Sequence, residues 1–319
     1  MAVIDIFNGD ADGICALVQL RNANPRESRL VTGVKRDISL VEKENYAAGD
    51  DVTVLDISLD KNREGVDKAL SAGANVIYFD HHFAGDIPSN DNLQAHINTA
   101  SDVCTSLLVN EYLNGEYRAW AVVGTFGDNL KKSAMGIAKP LNLSEEELIK
   151  LENLGIYINY NGYGATLEDL HFEPADLYQR LVKFSDPLAF MAEDSETFNK
   201  LEQGYQQDMA SAAAIEPNYQ TDKVAVFTLP NEAWARRVSG VYSNDLANDN
   251  PDRAHAVLTE KANGNYLVSV RAPLNNKTGA DDICRQFPTG GGRKAAAGVN
   301  DLPEGILESF TNAIEAYYA

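Results

Sequence analysis

Five acids and two adjacent imidazoles in this chain have the types and spacing to do chemistry. Asp10 and Asp12 lie in Asn8-Gly9-Asp10-Ala11-Asp12-Gly13, Asp56 follows Asp51-Val52-Thr53-Val54-Leu55, and Asp80-His81-His82 follow Val76-Ile77-Tyr78-Phe79. Asp128 closes the apolar segment Ala119 to Gly127. Brought to one place, these carboxylates repel one another and either neutralise or need a cation between them. An oxygen-rich set with one or two imidazoles suits Mn²⁺ or Mg²⁺ better than a thiolate-loving metal. Two such ions roughly 3.5–4 Å apart, bridged by a carboxylate, activate water for phosphoryl displacement. The reaction class this points to is hydrolysis of a phosphoester or phosphoanhydride.

The acids share a local setting, since each follows an apolar run. Ala2 to Phe7, Ser28 to Val34, Asp51 to Leu55 and Asn75 to Phe79 read as buried strands. Ile14 to Leu20 and Asp60 to Ser71 read as helices between them. Strands alternating with helices predict an α/β, doubly wound, mainly parallel sheet, whose ligands bind at the carboxyl ends of its strands. Ser101 to Val109 reads as a helix capped by Ser101 or Asp102. From Leu143 to about Ala214 the pattern is helical, with a capped start at Ser144 and a polar, aromatic loop over Asn159 to Gly164. In that loop Tyr160 and Tyr163 are expected to pack rather than to stack on a base. Val224 to Leu229 is a strand, Ala254 to Thr259 and Asn265 to Arg271 form a hairpin, a short helix holds Ile283 and Phe287, and Ile306 to Tyr318 is an amphipathic helix. The expected organisation is a metal-binding domain over 1–190, a helical connector over 191–219, and a smaller α/β domain over 220–319.

At 319 residues, two domains are the natural expectation. A net charge of −20 disfavours a protein that coats long duplex nucleic acid, so a polyanionic substrate must be held locally. Cys15, Cys104 and Cys284 sit apart in apolar surroundings and read as buried free thiols of a reducing compartment. There is no basic leader and no apolar run of membrane-spanning length, so the expectation is a cytoplasmic protein without membrane contact. Near the end, Gly290-Gly291-Gly292-Arg293-Lys294 followed by Ala295-Ala296-Ala297-Gly298 reads as a phosphate cradle of backbone N–H groups, with Arg271, Arg293 and Lys294 adding positive charge.

Together these motifs resemble the DHH/DHHA1 phosphoesterases, the family of RecJ-like exonucleases, oligoribonucleases and cyclic-dinucleotide phosphodiesterases. Asp10-Ala11-Asp12-Gly13 matches its first motif, Asp56 its second, Asp80-His81-His82 its third and Asp128 its fourth. Val268-Ser269-Val270-Arg271 and the glycine run match its C-terminal substrate domain. The resemblance implies that Asp10 and Asp56 ligate one Mn²⁺, with Asn8 as a further candidate ligand, while Asp12, Asp56, His81 and Asp128 ligate a second. Asp56 would be the bridge, and Mg²⁺ could replace Mn²⁺. It also implies that His82 meets the substrate phosphate, that Asp80 orients the site, and that Arg271, Gly290, Gly291, Gly292, Arg293 and Lys294 hold the substrate's far end across an interdomain cleft. Two positions depart from the family pattern. Asn8 stands where His or Asp is usual and offers a neutral oxygen, and Arg293 stands where His usually follows the glycines. The expected function is Mn²⁺-dependent phosphodiester or exonucleolytic hydrolysis of short single-stranded nucleic acid or a nucleotide phosphoester, and a homodimer is compatible with it. The alternatives are a pyrophosphatase or polyphosphatase and, because of Asn8, a catalytically weakened member that binds nucleic acid or a partner.

Overall fold

The computed structural model describes residues 1–318. Two compact units divide at residue 203. In the first, β1 (Val3–Phe7), α1 (Ala11–Ala23), β2 (Arg29–Val31), β3 (Asp51–Leu55), α2 (Arg63–Ser71), β4 (Asn75–Asp80) and β5 (Leu93–Ile97) build a wholly parallel sheet of order β2-β1-β3-β4-β5. Ile4 and Ile6 face α2 through Val66, Ala69 and Leu70. Asp5, on the opposite face of β1, is buried and accepts two hydrogen bonds from the Arg21 guanidinium of α1. Helices therefore cover both faces, as a doubly wound sheet requires. From β1 the chain steps outward to β2 and then back across to β3, so strand order reverses at β1/β3, the position where open α/β sheets bind ligands.

Helices follow: α3 (Thr105–Tyr112), α4 (Arg118–Gly127), α5 (Lys131–Ala138), α6 (Glu145–Asn161), α7 (Pro174–Leu181), α8 (Pro187–Glu193) and α9 (Ser195–Ala213). Small residues let α1, α4 and α6 approach closely. A Cβ on Gly127 would lie 2.3 Å from Ala11 Cβ, and one on Gly155 would lie 2.3 Å from the Val123 carbonyl. That contact delivers the end of α4, and Asp128 with it, to the start of α1. Helix α6 begins at Ser144 with the expected capping box to Glu147. It continues through Asn161, so the first half of the loop expected over 159–164 is helix. Tyr160 there is fully buried and hydrogen-bonded to His171, which suits packing and not base stacking.

Helix α9 runs unbroken across the division at 203, where the sequence placed the linker later, just before Glu216-Pro217. The second unit adds β6 (Tyr219–Gln220), β7 (Val224–Leu229), α10 (Ala233–Asp249), β8 (Ala254–Glu260), β9 (Tyr266–Arg271), α11 (Ala280–Cys284), β10 (Gly290–Arg293), β11 (Ala296–Leu302) and α12 (Leu307–Tyr318). Its sheet has the order β10-β11-β9-β8-β7-β6, with only β7 and β8 parallel. Val226, Leu258, Val268, Phe310 and Ile314 form its core. The β8/β9 hairpin is the one the sequence indicated. The glycine run forms the edge strand β10, paired with β11 through Gly290 to Arg293.

Candidate metal centre

Sheet register assembles the site. Phe7 pairs with Leu55 and Leu55 with Phe79, so the next residues, Asn8, Asp56 and Asp80, form a row at the carboxyl edge. The ladder runs on into that row: Asn8 N–H donates to Leu55 O at 3.1 Å and Asp56 N–H to Phe79 O at 3.0 Å. Asp56 adopts a left-handed backbone, φ 59°, uncommon away from glycine and frequent at functional turns.

Asp10 is the N-cap of α1, accepting the N–H groups of Asp12 at 3.0 Å and Gly13 at 3.1 Å through Oδ1. Its Oδ2 accepts from Lys35 Nζ at 2.6 Å. Asp12 holds a different helix: its two oxygens accept Thr105 N–H and Ser106 N–H, each at 2.7 Å. Helix α3 accordingly starts at Thr105, not at Ser101 or Asp102, because its cap arrives from across the site.

His81 is set as a ligand by its ring partner. Nδ1 lies 2.9 Å from Val103 O, and a carbonyl can only accept, so Nδ1 carries the proton and the Nε2 lone pair is open. Nε2 is 3.4 Å from Asp56 Oδ1 and 4.0 Å from Asp128 Oδ2. Thr105 Oγ1 donates to the same Asp56 oxygen at 3.2 Å. His82 Nδ1 sits 2.7 Å from Oδ1 of the fully buried Asp80, whose Oδ2 is buried without a partner, as is Asn8 Oδ1.

These residues fit a divalent cation. Asp12, His81 and Asp128 each bring one ligand atom within 4.8 Å of the others, and Asp56, His81 and His82 do the same. Orphaned buried oxygens beside such a set call for a cation or a water to satisfy them. Neither group includes Cys15 or Cys104, whose thiols burial, then the nearby Asp12 carboxylate, holds well above their ordinary pKa.

Charge crowding shows in the carboxylates. Burial, then Asp10, Asp12, Asp128 and Asp80, push Asp56 well above the usual carboxylate range. Burial and Asp12 raise Asp128 to about 6. Burial works against the Asp10 carboxylate too, yet the Lys35 ammonium outweighs it and holds Asp10 down at about 2. For His82, burial opposes the imidazolium and Asp80 more than offsets it, so its pKa lies above its ordinary value.

A raised acid stabilises the fold below its unfolded pKa and loses that contribution as pH rises through the folded value. For Asp128 the window runs from about 3.8 to about 6 and amounts to on the order of 2 kcal/mol. Asp10, with its lowered pKa, acts oppositely: its contribution is present above about 3.8 and is lost toward pH 2. The metal-free protein is therefore expected to melt at higher temperature near pH 4–5 than near pH 7, and Mn²⁺ should remove the difference. A melting temperature in chelator that climbs steadily from pH 5 to 7.5 would contradict the crowding.

Of the residues singled out in the sequence, Asn8, Asp10, Asp12, Asp56, Asp80, His81, His82 and Asp128 converge here. Arg271, Gly290, Gly291, Gly292, Arg293 and Lys294 belong to the second unit. There Arg271 donates to Asn244 Oδ1 at 2.7 Å and Ser269 Oγ at 3.0 Å, while Arg293 is exposed at the end of β10. Sequence reasoning missed Lys35, Asn159, Thr105 and Val103. Lys35 carried a usable signal, a basic residue just past a strand in a strongly acidic chain.

Residues 1–137 match the model of the DHH family, N-terminal domain. No curated protein matches the chain. Among solved structures it is similar to exonuclease RecJ bound to manganese, at 17% identity and TM-score 0.62 over 99% of this chain and 89% of that one. It is also similar to RecJ in complex with Mn²⁺ from Thermus thermophilus, at 18% identity and TM-score 0.66 over 99% of this chain, and spans only 52% of that protein. The pGpG-specific phosphodiesterase PggH of Vibrio cholerae aligns at 13% identity and TM-score 0.56 over 99% of both chains. At such identities the likeness is one of fold. The match to the DHH family model over residues 1–137, less than half of the chain, takes in the sheet edge where Asp10, Asp12, Asp56, Asp80, His81, His82 and Asp128 meet.

Proposed function

We propose that this protein is a divalent-cation-dependent phosphoesterase that hydrolyses short single-stranded nucleic acid or a small nucleotide phosphodiester, with Mn²⁺ as its metal. The observation that carries this reading is His81, whose Nδ1–H is tied to Val103 O so that Nε2 faces Asp56 and Asp128 beside Asp12. Asp12, Asp56, His81 and Asp128 would hold the cation, which when bound supplies an activated water and positive charge for the phosphoryl group. His82, half-exposed and backed by Asp80, would donate a hydrogen bond to a phosphate oxygen and carry a proton toward the leaving oxygen. Asp80 keeps that ring oriented.

Structures of RecJ with manganese and of a pGpG-specific phosphodiesterase, both of this fold, support the reaction class. The charge of −20 supports short substrates. In this reading the second unit acts as the DHHA1-like substrate domain, with the exposed Arg293 and Lys294 gripping a terminal phosphate. Free buried cysteines suit a cytoplasmic setting, and no helix among the described residues is long and apolar enough to cross a membrane. A homodimer is compatible with it.

The test is hydrolysis of a linear dinucleotide, short single-stranded RNA and DNA, a duplex of equal length, and pyrophosphate, each with Mn²⁺, Mg²⁺ or chelator. Expected is Mn²⁺-dependent cleavage of the dinucleotide or short single strands, at least about tenfold faster than of the duplex. Cleavage of pyrophosphate alone would favour the phosphoanhydride alternative. Protein that binds Mn²⁺ yet cleaves none of these would favour the weakened, binding member.

A further inference from the structure

The family resemblance calls for two cations, one of them on Asp10 and Asp56, and the residues do not fit that ion. Oδ1 of Asp10 accepts two backbone N–H groups, as the oxygens of Asp12 do, but Oδ2 already holds a positive charge, the Lys35 ammonium at 2.6 Å. Lys35 is no loose surface residue that a metal would brush aside. Its Nζ also donates to Asn159 Oδ1 at 2.8 Å, it lies 5.1 Å from the centre of the Tyr163 ring, and its side chain is 21% exposed. Its backbone N–H donates to Gly162 O at 2.8 Å. The loop carrying it is pressed on the turn that carries Asp10, so closely that a Cβ on Gly9 would stand 2.0 Å from Gly33 O.

What then remains for an ion on this side is Asn8 Oδ1, buried and without a partner but uncharged, together with a share of Asp56. A divalent ion there would have to displace a buried ammonium from its carboxylate or sit beside it, and the two positive charges would repel at short range. The other side offers Asp12, Asp56 and Asp128 with the open Nε2 of His81, and neither three-residue ligand group includes Asp10. Building on the metal-site reading above, we infer that this centre holds one divalent cation, and that the Lys35 ammonium takes the place of the second. Lys35 neutralises Asp10, keeps a fixed positive charge at the first position, and leaves the single ion to the Asp12, Asp56, His81 and Asp128 set.

The experiment counts ions and does not depend on turnover. Equilibrium dialysis of the full chain against Mn²⁺, with electron paramagnetic resonance of the loaded protein, should give one ion per chain and the six-line spectrum of isolated Mn²⁺. Lys35→Met frees the Asp10 carboxylate, and Lys35→Met with Asn8→Asp adds a charged ligand. In the double variant stoichiometry should rise to two, with the broadened spectrum of a coupled pair. Circular dichroism checks that both variants fold, and the wild-type count stands without them. Two coupled ions in the wild-type protein would overturn the inference while leaving the phosphoesterase reading intact, and so would a folded double variant that still binds one. Wild-type protein that binds no Mn²⁺ would reject the metal site itself, and this inference with it.

Discussion

Asp56→Asn is expected to lower divalent-cation-dependent hydrolysis by about three orders of magnitude or more, and at the same time to raise the melting temperature of the metal-free protein. Both effects follow from one position. Asp56 is buried at the β1/β3 switch point, its Oδ1 lies 3.4 Å from His81 Nε2, and its negative charge is what brings it into a cation's ligand set. An amide keeps an oxygen for the Thr105 hydroxyl, 3.2 Å from Asp56 Oδ1, and asparagine tolerates the left-handed φ of 59°. What it cannot supply is charge. Without a cation that charge is a liability, since burial and four neighbouring carboxylates raise the Asp56 pKa. The penalty therefore grows as pH rises, and the stabilisation by Asp56→Asn in chelator should be larger at pH 8 than at pH 5. Thermal melts with and without Mn²⁺, beside turnover on the substrate found above, read both quantities. Activity within tenfold of wild type, or a lower melting temperature in chelator at pH 8, would remove Asp56 from the centre of the site.

The acids of this edge were legible because buried parallel strands are continuous apolar runs, and an acid ending such a run is conspicuous. Val76-Ile77-Tyr78-Phe79 before Asp80 could hardly be placed elsewhere, and β1, β3 and β4 lie where their composition puts them. Strand β5 was not legible: Leu93-Gln94-Ala95-His96-Ile97 is an edge strand, half-buried at most positions, with two polar side chains breaking the apolar run. The start of α3 was misread for a non-local reason. Ser101 and Asp102 have the composition of a cap, but the orphan N–H groups of Thr105 and Ser106 are met by Asp12, more than ninety residues upstream. That the glycine run lies in a strand was not legible either, because its composition is that of a turn while its pairing with β11 is long-range in the fold. Lys35 stood out only as a basic residue just past a strand, and its partners Asp10 and Asn159 were not legible for the same cause as the cap of α3, since only the fold brings them to it.

Asp12→Ala should abolish activity as Asp56→Asn does, yet move stability the opposite way, by about 2 kcal/mol of destabilisation in metal-free protein. Both oxygens of Asp12 accept backbone N–H groups at 2.7 Å, and Thr105 and Ser106 are buried, so truncation strands two donors at a helix start where water enters poorly. Each such loss costs on the order of 1–2 kcal/mol, and relief of repulsion on Asp56 and Asp128 returns part of it. Asp12→Asn should fall between, since its amide oxygen can serve one of the two donors and its NH₂ group neither. Urea unfolding in chelator at pH 7 gives the order directly: Asp56→Asn above wild type, then wild type, Asp12→Asn and Asp12→Ala. Two site carboxylates with equal effects on catalysis and opposite effects on folding would separate a charge held for the cation alone from one that also starts a helix. If Asp12→Ala instead proves as stable as wild type, the start of α3 is held by something other than Asp12.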